Sequence, residues 1–408
     1  MPDNSILNQL NMVSRKWPGL HRWLKMIRRA VMVKTPAQCV DLWRVLAPSR
    51  SFCFGPPKGA FSIYTSWRCE NRRPSRIVLT DQGVPALPEN SLMVASGMLQ
   101  HSSQPWPVFW SHHKNARLVS PTLALVDERK RLCREAVYGD GCLEDDAAWR
   151  YLTLPKPVYL KGNWTSIISR WATAVAWGWN RDVPTFSHWL QDCLPRLALL
   201  KEFPTDTGIL VPAKLADYQK ESLKLLGLLD RVRPTAERHL IVDDYYFSSP
   251  TGMIACYNPY AVNWLRSAFL PLADKSYHGP KRFIISRKGK TRGIQNEAEI
   301  NAYFQKLGWS IIDTETLTFT QEIKLFAEAE AYAGIFGSGF TNSLWSPPGC
   351  KVITFVADSW MDGGIEAICV ANHLDYHWQA FPSDFAMRAK VDLASVKEML
   401  RRAGLDAG

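Results

Sequence analysis

The sequence predicts an α/β fold with two Rossmann-like domains facing a cleft, preceded by an irregular, β-rich amino-terminal region. Three observations carry this. From about residue 158, short apolar runs alternate with segments of helical period. Pro271, Gly279 and Pro280 break that alternation into two blocks, around 158–275 and 280–360. The chain of 408 residues is long enough for two or three domains. Repeated strand–helix alternation requires a parallel sheet with both faces covered.

In the first block, 173–177 reads as a strand, 187–203 as a helix, 208–211 as a strand and 217–228 as a helix. Residues 239–247 follow as a strand and 261–272 as a helix, with 275–278 as linker. In the second block Phe283, Ile284 and Ile285 make a buried strand over 282–286. Asn296 and Glu299 form a capping-box pattern for a helix that runs to Leu307 and stops at Gly308. A strand over 309–312 and a helix over 320–329 come next. Then a strand over 331–336 enters the tight turn Gly337–Gly339 and a short helix over 340–345. After Pro347-Pro348-Gly349 the strand 351–356 closes the block. Val391, Leu393, Val396, Met399 and Leu400 give the tail a helical stripe, expected to return to the first domain.

The domain reading is therefore a basic segment over 1–36 and a first domain with its entry region over 37–275. A second domain covers 280–375, and a carboxyl-terminal helical segment covers 376–408. Within the entry region, 76–80 and 116–126 read as strands.

Residues 1–36 carry Arg15, Lys16, Arg22, Lys25, Arg28, Arg29 and Lys34 against Asp3 alone. Leu20, Trp23, Leu24, Ile27 and Val31 form a helical stripe among those charges. Such a segment either lies on an anionic membrane surface or packs on the protein with its charges solvated. It has no uninterrupted apolar stretch, so no signal peptide is expected, and no run of 18 apolar residues predicts a transmembrane helix.

Lys plus Arg exceed Asp plus Glu by 49 − 38 = +11, which favours anionic partners without choosing among them. Nine scattered cysteines without a C-x-x-C argue against a disulfide framework or a zinc site and predict a reducing compartment.

Three segments can carry chemistry. In the first, His188, Asp192 and Arg196 are successive i, i+4 neighbours on a helix. A carboxylate beside an imidazole orients it and suits it to act as a base, and Arg196 is available to a phosphate or to Asp192. Pro195 predicts a kink. An ordinary surface charge ladder has the same spacing. In the second, Lys281, Arg282, Arg287, Lys288, Lys290 and Arg292 surround one buried strand. Arg287 leaves the strand's carboxyl end, where open α/β sheets take ligands, and with Arg292 suits a diphosphate. A solvated basic loop is the plain alternative. In the third, Gly337-Ser338-Gly339-Phe340-Thr341-Asn342 joins a strand to a helix start, a place for an anion or simply a tight turn. There is no clean D-x-D metal motif, H-E-x-x-H, nucleophile elbow or RNA-binding motif.

Together, and in this order, these segments resemble glycosyltransferase family 61, of the bacterial capsular polysaccharide biosynthesis type. The resemblance rests on His188-Trp189-Leu190-Gln191-Asp192-Cys193-Leu194-Pro195-Arg196-Leu197 and on Ile285-Ser286-Arg287 with Arg292, Asn296 and Glu297. It continues in Glu322-Ile323-Lys324-Leu325-Phe326, Gly337 to Asn342, and Pro348-Gly349. Phe336 stands where the family usually has His, and Glu322 where it usually has Gln.

The resemblance implies a GT-B-like fold and an inverting, metal-independent hexosyl- or pentosyltransferase that needs no cofactor. Its partners would be a nucleotide sugar and a cell-surface polysaccharide or lipid-linked glycan acceptor, with no nucleic acid. It further implies His188 or Asp192 as base, and Arg196, Arg287, Arg292, Asn296, Glu297, Gly337, Ser338, Gly339, Thr341 and Asn342 as substrate-binding residues. The expected location is cytoplasmic, at the inner face of the plasma membrane if residues 1–36 touch lipid. Phe336 keeps open a non-catalytic member that binds nucleotide or glycan within a polysaccharide assembly machine.

Overall fold

The computed structural model describes residues 156–168, 186–237, 239–249, 259–287, 292–361 and 363–405, together with Leu92, Leu123 and the short strands given below. The basic segment 1–36 and the strand expected over 173–177 lie outside these residues.

The first sheet contains β1 (Ser62–Tyr64), β2 (Arg76–Leu79), β3 (Val108–Val119), β4 (Ala124–Val126), β5 (Arg131–Cys133), β6 (Val158–Ser166), β7 (Gly208–Pro212), β8 (Val232–Thr235) and β9 (His239–Ser248). Its order is β1-β5-β4-β3-β9-β6-β7-β8, with β2 beside β3. Strands β9, β6, β7 and β8 run parallel, whereas β3 is antiparallel to β9 and to β4. The stretch 116–126, expected as one strand, is instead a hairpin. Leu123 takes a positive φ of 50°, and Val119 pairs with Ala124. A separate small ribbon pairs β10 (Gly252–Met253) with β11 (Cys256–Tyr257).

The second sheet is wholly parallel. Its strands are β12 (Arg282–Ile285), β13 (Ser310–Ile312), β14 (Ala331–Ile335), β15 (Lys351–Ala357) and β16 (Asp375–Phe381), in the order β13-β12-β14-β15-β16. Counted within this sheet, that is 2-1-3-4-5. The chain direction across the sheet therefore reverses between β12 and β14, where doubly wound sheets open a crevice at their carboxyl ends.

Seven helices complete the described fold: α1 (residues 186–202), α2 (Asp217–Leu225), α3 (Pro259–Phe269), α4 (Glu297–Lys306), α5 (Phe319–Ala327), α6 (Gly364–Ala371) and α7 (Leu393–Arg402). Gly308, with φ of 77°, ends the turn after α4 where any other side chain would be strained. Helix α5 starts at a capping box: Thr318 Oγ1 accepts from the Gln321 N–H and Gln321 Oε1 accepts from the Thr318 N–H. The box expected at Asn296 does not form. Asn296 gives its amide N–H to Glu299 Oε2 and to the Val391 carbonyl, and its Oδ1 accepts from the Val391 N–H.

Alternation along the strands divides the core. In β12, Phe283 and Ile285 face one buried cluster while Ile284 faces another. The first cluster also takes Tyr332 of β14 and Val352 of β15, plus side chains of α1, α3, α5 and α6. Ile209 and Val211 of β7 belong to it as well. A layer of helices thus serves both sheets, and the two halves share one continuous apolar core. This layer explains why β7 reads Gly-Ile-Leu-Val-Pro: Leu210 is buried on the opposite face, in the core of the first sheet.

The second cluster covers the other face of the second sheet with α4 and α7. Helix α7 buries Val396, Met399 and Leu400 beside Ile284, Ile353 and Phe355. The carboxyl-terminal helix accordingly lies on the second sheet and not on the first domain as expected. The physical reason is Asn296 and the bridge of Ile294 to Ala389, which draw the returning chain to the start of α4. Leu400→Ala is expected to lower the stability of the second domain by about 2–5 kcal/mol, the usual cost of a fully buried Leu. Urea unfolding with tryptophan fluorescence measures it.

Candidate functional site

Helix α1 carries the first group. It opens with one α-turn, Phe186–His188, widens to a π-turn over Trp189–Cys193, and tightens to a 3-10 stretch over Leu194–Glu202. Pro195 explains the irregularity. It has no N–H to give to Gln191, and its ring crowds that carbonyl. The extra residue is accommodated by a bond from the Leu194 N–H to the Trp189 carbonyl. Trp189 anchors the turn in the core, with its indole N–H on Ser222 Oγ at 3.0 Å.

Within that turn His188 Nδ1 lies 2.7 Å from Asp192 Oδ2. A proton on Nδ1 shared with the carboxylate places the lone pair on Nε2 and fixes the plane of the ring. The tightened helix beyond Cys193 carries Arg196 away from this pair. Arg196 is buried, gives Nη1 to the Ile168 carbonyl at 3.0 Å, and lies over the Phe247 ring. Its guanidinium is committed to the first sheet.

The second group stands at the carboxyl end of β12. Glu297, in the first turn of α4, accepts from Ser286 Oγ at 2.9 Å and from the Arg287 N–H at 3.2 Å, both on Oε1. These bonds fix the backbone where the strand ends. The Arg287 side chain then crosses the start of the glycine turn. A Cβ on Gly337 would lie 1.4 Å from Arg287 Nη1, so the absence of a side chain at 337 makes room for the guanidinium. Burial pushes the Arg287 guanidinium below its ordinary pKa, and the Glu315 carboxylate opposes that shift. Arg292, at φ 62°, lies over the Trp360 ring at 5.3 Å.

The third group is the turn after β14. Ser338–Leu344 is a 3-10 stretch of 7 residues, longer than the expected 340–345 at its start. Gly337 is extended, and the Phe340 N–H bonds its carbonyl at 3.0 Å. A Cβ on Gly339 would meet only ordinary contacts, the nearest at 3.4 Å on Thr314 Oγ1. Ser338 and Gly339 are half-buried, whereas Thr341 and Asn342 are fully buried. Phe336 is buried in the shared core.

The turn is held from several sides. Arg266 of α3 gives Nη1 to the carbonyls of Leu344 and Ser346 at 2.6 and 2.8 Å. Asn372 donates to the carbonyls of Ser343 and Ser346. Gln191 of α1 donates to Thr341 Oγ1 at 3.5 Å, and the first turn of α1 packs against the same segment. The His188–Asp192 pair is therefore fixed beside the turn that receives Arg287.

Asn342 gives its amide N–H to Glu322 Oε2 and accepts the Trp345 indole N–H on Oδ1 at 2.9 Å. Burial raises the Glu322 carboxyl to about 8. The Asn342 bond opposes this, and Glu221 and Glu315 add to it. Sequence reading noted Glu322 only as a departure from a family pattern. The signal was its spacing: Phe319, Glu322, Ile323 and Phe326 share the buried face of α5.

Arg287, Glu297, Gly337, Ser338 and Gly339 thus gather at the carboxyl ends of β12 and β14, with His188 and Asp192 adjoining the same turn. Arg196 gives Nη1 to the Ile168 carbonyl, Thr341 accepts from Gln191, and the side-chain amides of Asn296 and Asn342 are bonded within the protein. Among the described residues no three His, Cys, Asp or Glu side chains are grouped to hold a metal ion, and no helix is long and apolar enough to cross a membrane.

Fold and site define a class: a doubly wound parallel sheet with a half-buried arginine at its switch point and an imidazole–carboxylate pair against the same turn. Residues 186–353, from the start of α1 into β15, match the family model described as Glycosyltransferase 61. The matched stretch is less than half of the chain. Over that stretch the chain is similar to glycosyltransferase family 61. A comparison with curated proteins found no match.

Gly337→Ala is expected to expel the Arg287 guanidinium from its place at a cost of about 1–3 kcal/mol, whereas Gly339→Ala changes little. Thermal denaturation and a crystal structure of each variant check this. A raised carboxyl pKa favours folding fully below its unfolded value, and the advantage is lost as pH rises toward the folded one. For Glu322 that window runs from 4.5 to about 8. The melting temperature of Glu322→Gln relative to the parent protein should accordingly rise across the window and level off above it.

Proposed function

We propose that this chain is an inverting, metal-independent hexosyl- or pentosyltransferase. It moves a sugar from a nucleotide donor to a cell-surface polysaccharide, of capsular type, or to a lipid-linked glycan. The observation that carries the reading is the Arg287 guanidinium seated over Gly337 at the switch point, with the His188–Asp192 pair on the helix whose first turn packs against the segment that follows.

The chemistry follows from those positions. The donor diphosphate lies at the carboxyl ends of β12 and β14, where Arg287, with Arg292 from the neighbouring loop, takes its charge in place of a metal. Glu297 stands on the ribose side. His188 accepts the proton of the acceptor hydroxyl on Nε2, and Asp192 stabilises the resulting imidazolium. The acceptor oxygen forms its bond to the anomeric carbon as the bond from that carbon to the diphosphate oxygen breaks. The electron pair leaves with the nucleoside diphosphate, and the anomeric configuration inverts. The first domain takes the acceptor and the second the donor, in a GT-B-like arrangement. The absence of a D-x-D motif supports metal independence. The basic stripe of residues 1–36 supports a site of action at the cytoplasmic face of the membrane, where lipid-linked acceptors lie.

Phe336 favours a second reading, a member that binds nucleotide or glycan without turnover, because it fills with a buried ring the position where the family usually carries His.

Calorimetry with UDP, GDP, CMP and ADP, with and without EDTA, separates the readings when followed by turnover of the matching nucleotide sugar. Arg287→Ala is expected to weaken the preferred nucleoside diphosphate about tenfold to a hundredfold. His188→Ala should leave that affinity intact and lower kcat by about 10²–10⁴-fold. Binding without turnover in the parent protein selects the second reading. An EDTA-sensitive reaction overturns metal independence.

A further inference from the structure

Glu322 is a buried carboxyl group that the proposed chemistry does not use. It lies on the face of α5 turned to the Ser338–Leu344 segment, and its Oε2 holds the amide of Asn342. Asn342 in turn holds the indole of Trp345, which is packed between Phe269 and Phe319. The titratable groups that face Glu322 come from two other elements. Helix α2 supplies Tyr218 and Glu221, and the turn Thr314–Thr316 supplies Glu315. Glu221 is fixed where it is, since its carboxylate accepts the Phe319 N–H at 3.1 Å and the Thr320 N–H at 3.4 Å at the start of α5.

A negative charge on Glu322 would join two carboxylates already in place. The carboxyl is joined to the site by its bond to Asn342, which lies in the Ser338–Leu344 segment that follows Gly337, where the Arg287 guanidinium sits.

We propose that Glu322 is a positioning residue for donor binding: as a neutral carboxyl it fixes Asn342 and the turn beside Arg287, and as a carboxylate it opposes the donor's diphosphate. The inference rests on the nucleotide-sugar reading above. Two forms of one side chain then have different affinities for the same anion. Linkage requires the converse, that the anion favours the neutral form. Burial raises the carboxyl to about 8, so its change of form falls in an accessible pH range. Above pH 7.5 the phosphates of a nucleoside diphosphate carry constant charge, and ionisation of the base at the top of the range is common to parent and variant, so the difference between the two proteins reports Glu322.

The test is calorimetry of UDP and GDP binding between pH 7 and 9.5 on the full chain and on Glu322→Gln. The parent protein should lose affinity about fivefold between pH 7 and 9, on the way to a limiting tenfold, and the Gln variant, which keeps a neutral acceptor for Asn342, should not show this loss. Carbon-13 NMR of the glutamate carboxyls gives a second readout on the parent protein, independent of how the variant folds. Saturating nucleotide should raise the midpoint of Glu322 by about one unit, the same tenfold factor.

Equal pH slopes in parent and variant, or a Glu322 midpoint that nucleotide leaves in place, overturn the role of Glu322 while the donor site stands. Failure of every nucleoside diphosphate to bind at any pH, with Glu322 still titrating near 8, removes the donor reading itself, and this inference falls with it.

Discussion

The shared apolar layer between the two sheets is the constraint on which the site depends. Helix α1 lies in that layer, with Trp189, Leu190, Cys193, Leu194 and Leu197 buried in the cluster that also takes Phe283 and Tyr332. A helix anchored on both sides cannot tilt toward one sheet without opening a void against the other, and voids in such a core are expensive. The irregular winding at Trp189–Cys193 is therefore locked in place. It sets His188 and Asp192 next to the turn at Gly337 even though more than 140 residues separate them in sequence.

Electrostatics at the second sheet follow from the same rigidity. A buried guanidinium is costly unless an anion or good hydrogen-bond acceptors compensate it. Arg287 reaches its position because Glu297 fixes the backbone before it and Gly337 has no side chain to exclude it. Arg266, Asn372, Gln191 and Glu322 hold the neighbouring turn from four different elements. The turn is thus preorganised, and an anion bound there would find its donors already in place.

Much of the second domain was legible in the sequence because its elements are local and regular. Strand β12 is a short apolar run with a break on each side, and Gly308 marks the end of a helix by conformation alone. The edge of the sheet was not legible. Helix α6 is apolar except for the buried Glu366, so it shows no period, and β16 (Asp375–Phe381) is half-exposed and lacks β-branched residues. The site divided in the same way. The pairing of His188 with Asp192 follows from i, i+4 spacing. The commitments of Arg196 to Ile168 and of Asn296 to Val391 are contacts between distant segments, which no local pattern encodes.

The return of the chain after β16 has a consequence for how the protein is made. Residues 389 and 391 pair with the segment that leads from Arg292 into α4, and α7 then seals the face of the sheet behind it. During synthesis α4 can cover one part of that face, and the part that meets Val396, Met399 and Leu400 stays open. That face is fully covered only when α7 has left the ribosome. The first sheet can consolidate early, but the half that carries Arg287 has to wait, exposing an apolar surface of the kind that chaperones bind. The order of the chain thus makes the half that carries Arg287 firm later than the first sheet.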